Sequence, residues 1–356
     1  VAKKEKDMLW IEIGISVVKI ALVLFVVLTL VAYLTYAERR ISAFIQDRVG
    51  PNRVGPFGLL QPLADGVKFI FKEDIIPEHV NKPFYIMAPA LSLVTAIIAL
   101  AVIPIGYGFN TTLFGLLEEP VYVKLQIADI NAGLLYVLSI TSLGVYGIVL
   151  AGWASNSKYS FLGGLRSAAQ MISYELSLGL SILGAIALAG SLRLYDIIDA
   201  QAKVWFVIPQ ALGFIVFMVS SFAETNRLPF DLPEAEPELV AGYHTEYSSM
   251  KFAMFFMAEY TNMITASALA VCLFLGGWYP LPFGGWFGID VEKHWYLPPI
   301  VLIGKVFFML FLFIWVRWTI PRFRYDQVMK LGWKVLFPLA VLNIIITSAV
   351  MVLVYK

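Results

Sequence analysis

The sequence predicts an all-α polytopic membrane protein, a single integral domain over residues 1–356, and two observations carry that prediction. Hydrophobic residues make up 60% of the chain and charged residues only 14%, with a mean hydropathy of +0.79, where soluble domains carry about 25% charged residues. The apolar residues also gather into eight stretches, each long enough to cross a hydrocarbon core of roughly 30 Å. A third observation orients them. Sixteen Lys and Arg residues fall in odd-numbered loops, and only Lys124, Arg193, Lys203 and Lys293 in even-numbered ones. The positive-inside rule then puts the odd loops in the cytoplasm and both termini outside, against the weaker pull of Lys3, Lys4 and Lys6.

The first span, Leu9–Ala37, follows those lysines. It is too long for a signal-peptide core and has no small-residue cleavage site, so it reads as a retained helix. In the first loop, Gly50-Pro-Asn-Arg-Val-Gly-Pro-Phe-Gly58 is turn chemistry. After it, Leu59, Leu60, Leu63, Ala64, Val67, Ile70 and Phe71 recur at helical spacing opposite Gln61, Asp65, Lys68 and Lys72. This amphipathic helix is too short to span and should lie along the surface or under the bundle. The remaining spans are Phe84–Ile103, Asn131–Trp153, Ala168–Ala189, Val204–Ala223, Phe252–Gly276, Pro298–Trp318 and Trp333–Val354. No internal repeat of the kind common in secondary transporters is visible.

Several chemistries are excluded. One cysteine, Cys272, gives neither a disulfide nor the four ligands of an iron–sulfur cluster. His79, His244 and His294 all fall in loops, so no pair within the spans can hold a haem, and no metal ligand set is expected. Neither a P-loop nor a glycine-rich nucleotide fingerprint is present. The net charge of +1 gives no hint of nucleic acid. If electrons are involved, another polypeptide carries them.

Carboxylates dominate what remains. The segment from Ser220 to Val240 holds Glu224, Asp231, Glu234, Glu236 and Glu238 between two apolar helices. Such charges are costly near a bilayer unless protons, partners or water stabilise them. Glu224 ends the fifth span, and Glu234 and Glu238 would share a face if the segment is helical, with a helix start permitted at Pro233 or Pro237. Glu175 and Glu259 lie nine and eight residues beyond Arg166 and Lys251, about 12–13 Å into their helices. Each alone could simply bond a neighbouring helix. Several converging on one side favour a proton-handling or charged-substrate site. Lys19 reads as snorkelling, and Lys305 could pair with a carboxylate.

Longer motifs carry a family resemblance over all but the first few residues. Ala37-Glu-Arg-Arg, the stretch from Gly50 to Asp65, Gly152-Trp-Ala-Ser, Ile172-Ser-Tyr-Glu, Ala223-Glu-Thr-Asn-Arg, Pro229-Phe-Asp-Leu-Pro-Glu-Ala-Glu, Glu246-Tyr-Ser-Ser and Pro321-Arg-Phe-Arg-Tyr-Asp are all present. Together they resemble the H-type (mitochondrial subunit 1) membrane-subunit family of respiratory complex I, the proton-pumping NADH:quinone oxidoreductase.

The resemblance implies a membrane subunit without FMN or iron–sulfur cluster, at the joint between two arms of the complex. A peripheral arm would bring the terminal iron–sulfur cluster, and a membrane arm the antiporter-like subunits. The substrate would be a quinone, ubiquinone or menaquinone. The tunnel lining maps onto Glu38, Arg39, Arg48, Asp65, Phe230, Arg317 and Arg322. The acidic path maps onto Asp65, Glu175, Glu224, Glu234, Glu236, Glu238, Glu246 and Glu259. Where some bacterial relatives carry a glutamate in the third helix, this chain has Ser142, as mitochondrial relatives do; its hydroxyl is expected to help bridge ordered water beside Glu175. The expected location is a bacterial inner membrane, ahead of a mitochondrial one. Two alternatives are a subunit of a related membrane-bound hydrogenase or other reductase, and a proton-coupled secondary transporter. The missing repeats and the lack of a broken-helix pair argue against the transporter.

Overall fold

The computed structural model describes residues 2–112, 120–232, 236–282 and 295–354. Among them, seven helices are long and apolar enough to cross a membrane, and an eighth apolar helix is shorter. The chain is therefore an α-helical multi-pass membrane protein.

The first helix, α1 (Ala2–Ile45), runs 44 residues, or about 66 Å. Its predicted end at Ala37 falls short because Glu38-Arg-Arg continues the helical ladder beyond the apolar stretch. Trp10, Val18 and Phe25 point outward, whereas Val31 and Leu34 are buried. The turn after α1 is closed by Tyr36, whose hydroxyl donates to the Phe57 carbonyl at 2.6 Å. Gly58 has φ +80°, and a Cβ there would lie 2.3 Å from the Pro51 carbonyl oxygen, so only glycine fits. The amphipathic helix α2 (Gln61–Phe71) follows as expected, with no fully buried residue. Leu63, Val67 and Ile70 remain exposed on its apolar side.

Helix α3 (Lys82–Ala99) ends in a 3₁₀ turn, Leu100–Val102. A two-stranded antiparallel hairpin, β1 (Gly106–Thr111) and β2 (Val121–Leu125), occupies the loop that sequence periodicity left unassigned. Next come α4 (Gly133–Ala154) and α5 (Lys158–Ala189). Helix α5 starts ten residues before its predicted Ala168 because Lys158 and Arg166 hide the helical continuation from an apolarity criterion. Small residues there let backbones meet: a Cβ on Gly163 would lie 2.7 Å from Gly242 Cα.

The fifth predicted span needs the largest correction. After a short helix α6 (Leu194–Ala200), helix α7 begins at Ala211, not Val204, and ends at Glu224. At 14 residues it covers only about 21 Å. Residues 204–210 are folded as turns, with Val207 N donating to the Phe274 carbonyl and Trp205 N to the Pro282 carbonyl. Pro209 lacks an amide hydrogen and disfavours helix at Ile208, so the apolar run is kept out of the helix. A buried glutamine satisfies the turn: Gln201 accepts from Phe206 N and Gly276 N and donates to the Cys272 carbonyl.

A single helical turn, α8 (Glu236–Leu239), and a 3₁₀ turn, Gly242–His244, lead into α9 (Ser249–Phe274). Most of α9 is buried, which makes it the axis of the bundle; α1, α3, α7 and α10 (Leu297–Thr319) pack around it. The last predicted span starts eight residues early: α11 (Tyr325–Lys330) passes through a π-turn at Leu331–Leu336 into α12 (Phe337–Val354). Tyr174 pins that junction by donating to the Val328 carbonyl at 2.8 Å. Lys305 meets carbonyls instead of a carboxylate: its ammonium bonds Leu275, Gly277 and Tyr279 O at 2.5–3.0 Å, closing the C-terminal end of α9.

Candidate functional site

The C-terminal ends of α1, α7 and α10 and the N-terminal half of α9 meet at the arginine-rich end of the bundle. Glu38 lies at their centre, 6% exposed. Arg317 of α10 hydrogen-bonds its Oε1, and the Tyr260 hydroxyl of α9 donates to Oε2 at 2.6 Å. Arg227, just past α7, places Nη1 3.7 Å from Glu38 Oε2 and Nη2 3.8 Å from Glu259 Oε2. Its guanidinium lies 4.1 Å from the centre of the Tyr260 ring, a cation–π contact. Glu259 also accepts from the Tyr243 hydroxyl at 3.2 Å. Burial works against the Arg227 charge, but Tyr260, Glu38 and Glu259 around it outweigh that and raise its pKa above the ordinary arginine value. Two carboxylates and two guanidiniums thus neutralise one another out of water. That arrangement can polarise a carbonyl-bearing guest and pass protons at its edge.

The backbone that presents Arg227 is held from α5. Gln170 Nε2 donates to the carbonyls of Ala223 and Phe230, both at 2.8 Å, and lies 3.1 Å from Asn226 Oδ1. Asn226 has φ +49°, the left-handed conformation asparagine tolerates after a helix C-terminus. Phe230 is buried between Tyr174 and Phe323, with ring centres 5.5 Å from each. Beside it, Arg322 pairs with Asp231 at 2.9 Å.

From Glu259 the polar region continues inward. Glu224 and Glu259 line one small cavity of about 20 Å³ with Ser92, Asn226, Tyr243 and Asn262, enough room for about one water. Among the described residues, neither Ser92 Oγ nor Asn262 Oδ1 has a hydrogen-bond partner, so the walls are suited to water. Glu175 lies near enough to act on the Glu224 carboxylate through space. The Ser142 hydroxyl bonds Glu175 directly.

Other predicted residues are placed apart from this core. Asp65 is bound by Arg39 at 2.6 Å, by Gln61 at 3.2 Å and more loosely by Lys68 at 3.8 Å, which ties α2 to α1. Arg48 is exposed, and its side chain donates to Gln46 Oε1 at 2.7 Å. Glu238 is paired with Arg166 at 2.5 Å on the surface, and Glu246 lies 3.9 Å from His79. Glu234 lies outside the described residues, as does His294. Glu236 lies in the α8 turn, and Pro233, the other permitted helix start, lies outside the described residues. Arg227, Tyr243 and Tyr260 are functional candidates that sequence reasoning misses. Arg227 had a usable signal, being the lone basic residue between Ser220 and Val240. The tyrosines carried none, because only packing decides which hydroxyl meets a carboxylate.

Comparison with known proteins agrees over nearly the whole chain. A family profile described as NADH dehydrogenase matches residues 18–348. The first H subunit of the NADH-quinone oxidoreductase of Geobacter metallireducens is 54% identical over 344 residues, covering 96% of this chain and 98% of its own. The second H subunit of the Koribacter versatilis oxidoreductase is 51% identical over 354 residues, covering 94% and 96%. The corresponding H subunit of Leptospira biflexa is 55% identical over 328 residues, covering 90% of each. With these matches and this fold, the chain belongs to the NADH dehydrogenase family, as an H-type membrane subunit of the NADH-quinone oxidoreductase complex, complex I.

Proposed function

We propose that this subunit forms the quinone-binding passage of the complex and joins quinone reduction to proton movement along its carboxylates. The carrying observation is the buried position of Glu38, which shares Arg227 with Glu259 while Glu259 shares a cavity with Glu224. A quinone headgroup needs polar anchors, and Glu38, Arg39, Arg317, Arg322 and Asp65 offer them at one end of the bundle. Its isoprenoid tail needs an apolar passage to lipid, which the exposed apolar side of α2 beside α1 can frame. Reduction to quinol consumes two protons with two electrons, so charge changes beside Glu38. Glu259 and Glu224, which share a water-sized polar cavity, and Glu175, which acts on Glu224 through space, can adjust their proton occupancy in response. Electrons arrive from an iron–sulfur cluster on a partner subunit of the peripheral arm, and protons are passed on toward the antiporter-like subunits. In this reading the arginine-rich end faces the cytoplasm of a bacterial cell and the bundle sits in its inner membrane.

An azido-quinone photolabel tests the site in the assembled complex. Labelling should fall on segments 225–232 and 317–323 and be displaced by excess quinone. Saturable labelling confined to other subunits would remove the headgroup site from this chain. The tail passage has its own test. Ala64→Phe on α2 should lower kcat/KM for long-tailed quinones about tenfold, through overpacking of the kind that costs about 1–3 kcal/mol, and leave short-tailed analogues within about twofold. Equal losses for both tail lengths would take α2 out of the passage.

A further inference from the structure

We infer that Arg227 is a positioning residue that transmits a change of protonation between Glu38 and Glu259, one guanidinium serving two carboxylates in turn. The inference rests on the quinone-site reading above and says which group joins the headgroup end to the acidic path. Its two ion pairs are nearly equal, 3.7 Å to Glu38 and 3.8 Å to Glu259. Both exceed the 2.7–3.2 Å of an N–H···O hydrogen bond. Among the described residues, Nε and Nη2 have no hydrogen-bond partner, although the side chain is only 4% exposed. The cation is therefore centred between two anions and committed to neither.

Each carboxylate keeps a second partner. Glu38 has Arg317 and Tyr260, and Glu259 has Tyr243. Either can thus lose its hold on Arg227 without being left bare. The flat face of Tyr260, 4.1 Å away, gives the guanidinium a surface to move along. A guanidinium does not give up its proton under ordinary conditions, so its response to a neutralised neighbour is displacement. The backbone, by contrast, is fixed by Gln170, which donates to the carbonyls on both sides of the residue. If Glu38 is neutralised, Arg227 closes on Glu259 and holds its proton off; if Glu259 is neutralised, the cation closes on Glu38. The other charged or titratable groups facing this pair are Arg317, Tyr260 and Tyr243, with Glu224 across the cavity and, on the same loop, Asp231, which Arg322 pairs from beyond α10.

The test is a four-member cycle in the purified complex: wild type, E259Q, R227Q and the double variant, each assayed for NADH:quinone activity against pH. E259Q should move the acid limb by about one pH unit when Arg227 is present and leave it unmoved when Arg227 is absent, as coupled sites require. Equal displacement in both backgrounds, or none in either, overturns the inference. If R227Q does not assemble, R227K replaces it. One ammonium cannot face both carboxylates, so the displacement should shrink by more than half, and a full displacement overturns the two-pronged role. E38Q separates the two levels. If E38Q leaves quinone kcat/KM unchanged, the site reading fails. If E38Q is impaired while the E259Q and R227Q displacements simply add, only the role of Arg227 fails.

Discussion

Replacing Arg317 with methionine should lower quinone reductase activity by about 10²–10³-fold. Glu38 would keep only the looser Arg227 contact and the Tyr260 hydroxyl, in a setting where it is 6% exposed. Breaking one partner of a buried ion pair costs about 3–5 kcal/mol, and each 1.4 kcal/mol is a factor of ten. Electron transfer from NADH to hexammineruthenium, which bypasses the quinone site, should be retained within about twofold in the assembled complex. Joint loss of both activities would mean failed assembly. A quinone reductase loss under about fivefold in an assembled complex would mean that this cluster lies away from the reacting headgroup. Arg317→Lys should recover only part of the loss, because the guanidinium fork is what matches a carboxylate edge.

Glu175→Gln should produce the second large effect, a loss of proton translocation of about 10²-fold or more, in the range by which positioned acid–base groups act. Glu175 bonds Ser142 and acts through space on Glu224, which in turn shares its cavity with Glu259. It is the inward continuation of the carboxylate series. Ser142→Ala should be much milder. The contact is direct, and a single hydrogen bond contributes about 1 kcal/mol net, so a fall of about fivefold is expected. Proteoliposomes containing the whole complex, with proton uptake and NADH oxidation followed together, give the ratio that decides. Wild-type translocation in Glu175→Gln, or a larger loss in Ser142→Ala than in Glu175→Gln, would show that protons do not pass this point of the bundle.

Much of the architecture is legible in the amino-acid order. Spans without a charged residue, such as Asn131–Trp153 against the observed Gly133–Ala154, came close to the observed ends because bilayer thickness itself sets their length. Ends that carried charge were misplaced. Helices α1 and α5 extend past their apolar stretch through Glu38-Arg39-Arg40 and Lys158–Arg166, and α11 (Tyr325–Lys330) does the same ahead of α12. A hydropathy criterion stops at charge, whereas the backbone hydrogen-bond ladder does not. The opposite error occurred at Val204–Gln210, an apolar run that Pro209 helps hold out of a helix and that packs as turns on the end of α9.

What the amino-acid order determined alone is the membrane class, the amphipathic α2 and the carboxylates, along with the family that its long motifs identify. These properties depend on composition, period and local chemistry, each contained in a short window. The tertiary structure decided which of the charges meet. Glu38, Arg227, Glu259 and Arg317 are separated by up to 279 positions, and no local property says that a lone arginine after α7 will come to lie between carboxylates of α1 and α9. Glu238 and Glu246, which the family resemblance put on the same acidic path as Glu259, pair with Arg166 and His79 instead. Burial is the physical reason: a carboxylate out of water must find a cation, a hydroxyl or a proton, and only helix packing determines which of these is within reach.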